Sequence, residues 1–169
     1  MLRKSLIGAA AILAIVSIAG CSGSGSTDPS TRTIGPEGGF LTKSLGIGNA
    51  TVTIPAGAVA TPTKFTVSVP DASTVPPDPA VDKPVLRSTA IRIQPDTTFN
   101  QPVTITLPYS TPLPAGKTEA NLLICQANAA NGWDRLNTAD STIDATHQTA
   151  TDTIMNTNQT RPYAILAVK

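Results

Sequence analysis

Thr97-Thr98-Phe99-Asn100-Gln101-Pro102-Val103-Thr104-Ile105-Thr106-Leu107-Pro108-Tyr109 decides the fold class. Val103, Ile105 and Leu107 alternate with Thr104 and Thr106, a period of two that puts apolar side chains on one face of an extended chain and hydroxyls on the other. The alternation recurs to either side. Val52 and Ile54 interleave with Thr51 and Thr53, Phe65, Val67 and Val69 with Thr66 and Ser68, and Ile91 and Ile93 flank Arg92. Turn residues separate such runs about every ten positions, the spacing of an all-β sandwich or barrel. One wet and one dry face per strand predicts an antiparallel, immunoglobulin-like β-sandwich of about eight or nine strands. The 25 threonines, 15 prolines and 12 glycines point the same way, toward short strands joined by turns.

The connections are legible in part. Gly35-Pro36-Glu37-Gly38-Gly39 reads as an opening turn, with Phe40 and Leu41 starting the first pairing. Asn131-Gly132 lies between Leu122 to Gln126 and Trp133 to Leu136, which predicts a hairpin closed by a tight two-residue turn. Tyr163 to Val168 is almost continuously apolar, as expected of a central strand or one covered on both faces. Lys117 to Ile124 has helix-forming composition, but strand is favoured. Pro70 through Pro84 holds five prolines and three aspartates, too many missing amide donors for an internal strand. It is expected to be a long surface connection, either a plain crossover between sheets or a place to build a binding surface.

A chain of 169 residues holds one ordinary domain. Its net charge of +1 gives no footprint for binding phosphate backbones, so nucleic acid is not an expected partner. One histidine and two cysteines are too few for a structural zinc site, and no metal or cofactor is expected.

Met1-Leu2-Arg3-Lys4 followed by the apolar run Leu6 to Ala19 has the order of a bacterial export signal. The run is short of the roughly 20 residues a membrane-spanning helix needs. Ile18-Ala19-Gly20-Cys21 resembles the lipobox of bacterial lipoproteins. The resemblance implies cleavage between Gly20 and Cys21, a diacylated Cys21 sulfur and an acylated new amino terminus. Three chains would anchor the protein to a membrane stably. The domain organisation expected is a signal at 1–20, lipidated Cys21 with a Ser/Gly tether at 21–32, and one domain at 33–169. Ser22 stands where an aspartate would mark inner-membrane retention, so a cell-envelope location, at the outer membrane of a Gram-negative cell, is expected. Removing the first 20 residues takes Arg3 and Lys4 away and moves the net charge from +1 to −1. Cys125 is then the one free thiol, and its run Leu122-Leu123-Ile124-Cys125 suits a buried, inert side chain.

Candidate chemistry is sparse. His147 is the only histidine, with Asp140 and Asp144 near it in sequence, but no Gly-x-Ser-x-Gly elbow exists and a solvated turn histidine is expected. Asp71, Asp78, Asp82 and Asp96 are the carboxylates available for glycoside cleavage, with few aromatic residues to stack a sugar. The Asp78 and Asp82 loop lacks the dense ligand spacing of a calcium site.

Gly38-Gly39, then Val52-Thr53-Ile54-Pro55-Ala56-Gly57-Ala58, then the 97–109 stretch, with Gly132-Trp133 later, resembles the ZU-five domain, the β-sandwich module of ankyrins, netrin receptors and zonula occludens proteins. The likeness runs from about Ile34 to Val168. It implies a non-enzymatic interaction module. Some members cut themselves at His-Phe-Ser before the last strand. Gln159-Thr160-Arg161 stands there in this chain, so no catalytic residue is assigned and an uncut chain is expected. The function expected is a lipid-anchored envelope protein with an interaction or structural module, bound to an envelope protein or glycan. A carbohydrate- or peptide-binding lipoprotein, with Trp133 and Tyr109 as its binding surface, is the alternative, and a small hydrolase the third.

Overall fold

The computed structural model describes residues 29–137, 139–158 and 160–168. The expected signal, Gly20 and Cys21, Ser22 and Gln159 lie outside the described residues. Among the described residues eleven strands form two sheets, all neighbours antiparallel: β1 (Thr31–Ile34), β2 (Gly39–Ser44), β3 (Asn49–Ile54), β4 (Thr63–Ser68), β5 (Val85–Gln94), β6 (Thr97–Pro108), β7 (Leu122–Ala127), β8 (Trp133–Arg135), β9 (Thr142–Asp144), β10 (Thr149–Thr157) and β11 (Tyr163–Ala167). The six-stranded sheet runs β1-β4-β5-β11-β7-β8 and the five-stranded one β2-β3-β6-β10-β9. The chain is an all-β sandwich, as its alternation predicts. The count exceeds eight or nine because β1, β8 and β9 have only three or four residues each, too few to show a period.

The dry faces meet in one core. Leu41, Val52, Ile54, Val103, Ile105 and Leu107 come from one sheet and Phe65, Val67, Ile91, Ile93, Tyr163 and Ile165 from the other, all buried. Phe65 and Phe99 rings lie 5.9 Å apart. Val69 departs from the alternation: β4 stops at Ser68, and Val69 is exposed. Thr31 and Arg32, read above as tether, pair with Thr66 and Phe65, so the folded chain begins earlier than residue 33.

The outward faces differ. Thr42, Thr51, Thr106, Thr151 and Thr142 stand in one cross-strand row over the five-stranded sheet. The six-stranded sheet instead has a second apolar cluster outside it, with Val75, Val85, Leu123, Cys125 and Leu166. Segment 70–84 covers it. It joins β4 to β5, which pair directly, so it is a strap across one sheet and not a crossover between two. Its prolines leave the backbone short of donors, and the sheet supplies them: the Arg87 guanidinium donates to the Val75 carbonyl, Arg92 to the Thr74 hydroxyl, and the Val85 amide to Asp78.

Candidate functional site

Trp133 stands at the start of edge strand β8, where Ala127 is its cross-strand partner. The hairpin expected here is present, but its loop is longer than two residues. The Asn128 amide donates to the Gly132 carbonyl and the Asn131 amide to that of Asn128, while Asn131 alone takes a positive φ of 58°. This is a turn closed by a left-handed residue, a form that three-residue hairpin loops favour. Asn128 Oδ1 also accepts from the amides of Ala130 and Gly132, so the turn is fastened from within. The loop sets Trp133 facing the strap, and its indole N–H donates to the Pro77 carbonyl at 3.1 Å.

Between strap and sheet lies a pocket of about 330 Å³. Leu123 and Cys125 of β7 with Leu166 and Val168 make its floor, Pro79 and Trp133 its walls, and Lys83 and Arg135 bring two cations to it. Cys125 and Arg135 face each other across the β7–β8 ladder. Burial pushes the Cys125 thiol up to about 11, opposed by the Arg135 charge, so it is protonated and unreactive at neutral pH. Arg135 is held by Asp140 at 2.7 Å and by the Ala139 carbonyl.

Tyr109, the second aromatic residue assigned to a binding surface, does not belong to one. It is 1% exposed and part of the core. The reason is parity: it continues Val103, Ile105 and Leu107 on the dry face, a signal present in the opening stretch. Burial raises its phenol pKa, with Glu119 and Asp144 adding to the effect.

Of the residues considered for hydrolysis, His147 and Asp144 come together. His147 Nδ1 meets Asp144 Oδ2 at 2.6 Å in the exposed turn between β9 and β10, and the hydrogen bond from His147 holds the Asp144 carboxyl below its ordinary range. Asp140 pairs with Arg135 instead. Thr160 and Arg161 follow the far end of β10, whose nine residues separate them from His147 by about 30 Å. Thr160 Oγ1 donates to Asn158 Oδ1 in that turn. Among the carboxylates, Asp78 binds Arg87 and the Val85 amide, an anchoring role for the strap. Among the described residues, no three His, Cys, Asp or Glu side chains gather as metal ligands do.

The glycine and proline motifs meet at one structural corner. A Cβ on Gly38 would lie 2.6 Å from the Ile54 carbonyl oxygen, the Gly57 amide donates to the Pro36 carbonyl, and the Asn100 amide to that of Ala58. The three quoted motifs therefore pack on one another and build this corner of the sandwich.

No protein of curated function matches the chain. Residues 30–126, β1 through nearly all of β7, match the ZU5 domain. The chain belongs to the ZU5 domain family.

Proposed function

We propose that this protein is a non-enzymatic interaction module of the cell envelope, held to a membrane by lipid on Cys21. ZU5 domains mediate contacts between proteins, and that membership carries the reading. The strand order supports it. The tether would enter through β1, and β8 with Trp133 lies at the opposite edge of the same sheet, roughly 24 Å away across the intervening strand spacings. The 128–132 loop thus stands away from the attachment point, where a partner has access.

Two measurements test this. Labelled palmitate should enter the wild-type chain and not Cys21→Ser; equal labelling of both, or of neither, removes the anchor. A photo-crosslinking residue at exposed Ala129 should capture an envelope protein in cells, and the same residue at Ser44 on β2 should not. Loss of the difference removes the assigned face.

The pocket beside Trp133 favours a second reading, a ligand-binding envelope lipoprotein. Its mixture of apolar floor and a few polar groups is the usual make-up of a small-molecule site.

A further inference from the structure

We infer that the Trp133 pocket binds a small apolar monocarboxylate, with an aliphatic body of about ten carbons and one anionic head. The inference rests on the ligand-binding reading above. Three features of the site select this class. The floor, Leu123, Cys125, Leu166 and Val168, is apolar, so the body of the ligand must be apolar too.

The backbone beneath that floor is already paired. β7 is bonded by β11 on one edge and β8 on the other, and β11 by β5 and β7. An extended peptide laid on this floor would find no ladder donors or acceptors and would bury its own unsatisfied. A sugar would bury hydroxyls against aliphatic carbon at a similar cost. Polarity is tolerated only at the edge of the ligand.

The rim supplies the matching charge. Lys83 reaches the pocket from the strap and Arg135 from β8, and no carboxylate among the described residues lines it. Asp140 and the Ala139 carbonyl hold Arg135 through Nη2, fixing its position at the rim, while a guanidinium has further N–H donors to offer an anion. Among the described residues Lys83 forms no ion pair. One anionic group between these two cations, with a hydrocarbon chain reaching down to Leu123 and Leu166, satisfies every surface of the pocket.

Trp133 is the single tryptophan of the chain and forms a wall of the pocket, so its fluorescence reports occupancy directly. The experiment titrates decanoate, below its micelle concentration, into the full chain carrying Cys21→Ser, which removes competing acyl chains. A saturable change in Trp133 emission is expected. 1-Decanol should bind about fivefold or more weakly, acetate should give no change, and Lys83→Glu should weaken decanoate about fivefold while Lys83→Arg preserves it. Lys83 is exposed, so neither variant threatens the fold. No saturable change with decanoate overturns the proposal. So does equal affinity for decanol and decanoate, or a Lys83→Glu chain that binds decanoate as tightly as wild type. None of these outcomes touches the palmitate or crosslinking results, which judge the anchor and the protein partner separately.

Discussion

Threonine has two roles in this chain, and burial decides which. On the wet face, the Thr106 and Thr151 hydroxyls bond to each other at 3.0 Å while partly open to water. Replacing Thr106 with Val should change stability by less than about 0.5 kcal/mol, because water covers what is lost. Thr89 is fully buried at an irregularity where four residues of β5 face one of β11. Its hydroxyl donates to the Leu86 carbonyl at 2.6 Å and accepts the Ile165 amide at 2.8 Å, replacing a missing ladder bond. Thr89→Val keeps the shape and leaves both backbone groups unpaired, at an expected cost of about 2–4 kcal/mol in urea unfolding. Equal effects at the two positions would contradict this division. Ser141 does similar work where β8 ends, accepting the Ile124 amide and donating to Asp152 of the other sheet.

Cys125 gives a pH prediction with a definite sign. Burial raises its thiol to about 11 in the folded chain, against 9.0 for an ordinary thiol, so on raising the pH the unfolded chain loses this proton first. Stability from the neutral thiol is full below pH 9 and falls as pH climbs toward 11, by up to roughly 1.4 kcal/mol per pH unit. The buried tyrosines act in the same direction only from about pH 10 upward. Between pH 9 and 10, urea unfolding of wild type should lose about 1 kcal/mol more than that of Cys125→Ala. Parallel losses would show that the thiol is not shielded as the structure has it.

At the scale of elements, the contrast between two glycines shows what the family motifs are for. Gly38 and Gly57 both have positive φ, 77° and 80°. A Cβ on Gly57 meets nothing within 4 Å, whereas one on Gly38 would run into the backbone of Ile54, Pro55 and Ala56. Gly57→Ala should therefore cost only the left-handed backbone penalty, about 1–2 kcal/mol. Gly38→Ala adds a collision with main chain that cannot rotate away, and about 3 kcal/mol or more is expected in thermal unfolding. Equal melting temperatures for the two variants would mean that the corner yields. The alternating strands β3, β4 and β6 were legible from residues alone, because strict alternation over four or more residues marks a half-buried strand. The Lys117 to Ile124 ambiguity has a physical origin: Glu119–Asn121 is one 3-10 turn and β7 starts at Leu122, so both signals are real and adjacent. The strap was legible as a loop, but not as a cover. Its few apolar contacts, Val75 among them, carry no period, and much of the surface it covers comes from β7 and β11, strands distant in sequence.

At the scale of the whole molecule, the family match ends at residue 126 while the sandwich does not. β11 lies between β5 and β7, and β10 between β6 and β9, so residues 149–167 supply interior strands of both sheets. All five residues of β11 are buried, with Tyr163 and Ile165 in the inner core and Ala164 and Leu166 in the cluster beneath the strap. The sequence marks this strand through its continuous apolar run, since a strand covered on both faces has no polar side to show. A chain stopped after Ala127 would expose the edges of β5, β6 and β7 and the inner faces of both sheets together. It would also lose the Tyr163 hydroxyl, which accepts from Gln126 Nε2 and donates to the Asn156 carbonyl, tying β7, β10 and β11 at one point. Such a chain is expected to show no cooperative thermal transition and to aggregate, where the chain through Lys169 melts in one step. A cooperative melt of the shortened chain would mean that residues 30–126 fold alone and that β10 and β11 dock onto a finished domain. The predicted failure instead makes the strands outside the family match a condition for the ones inside it.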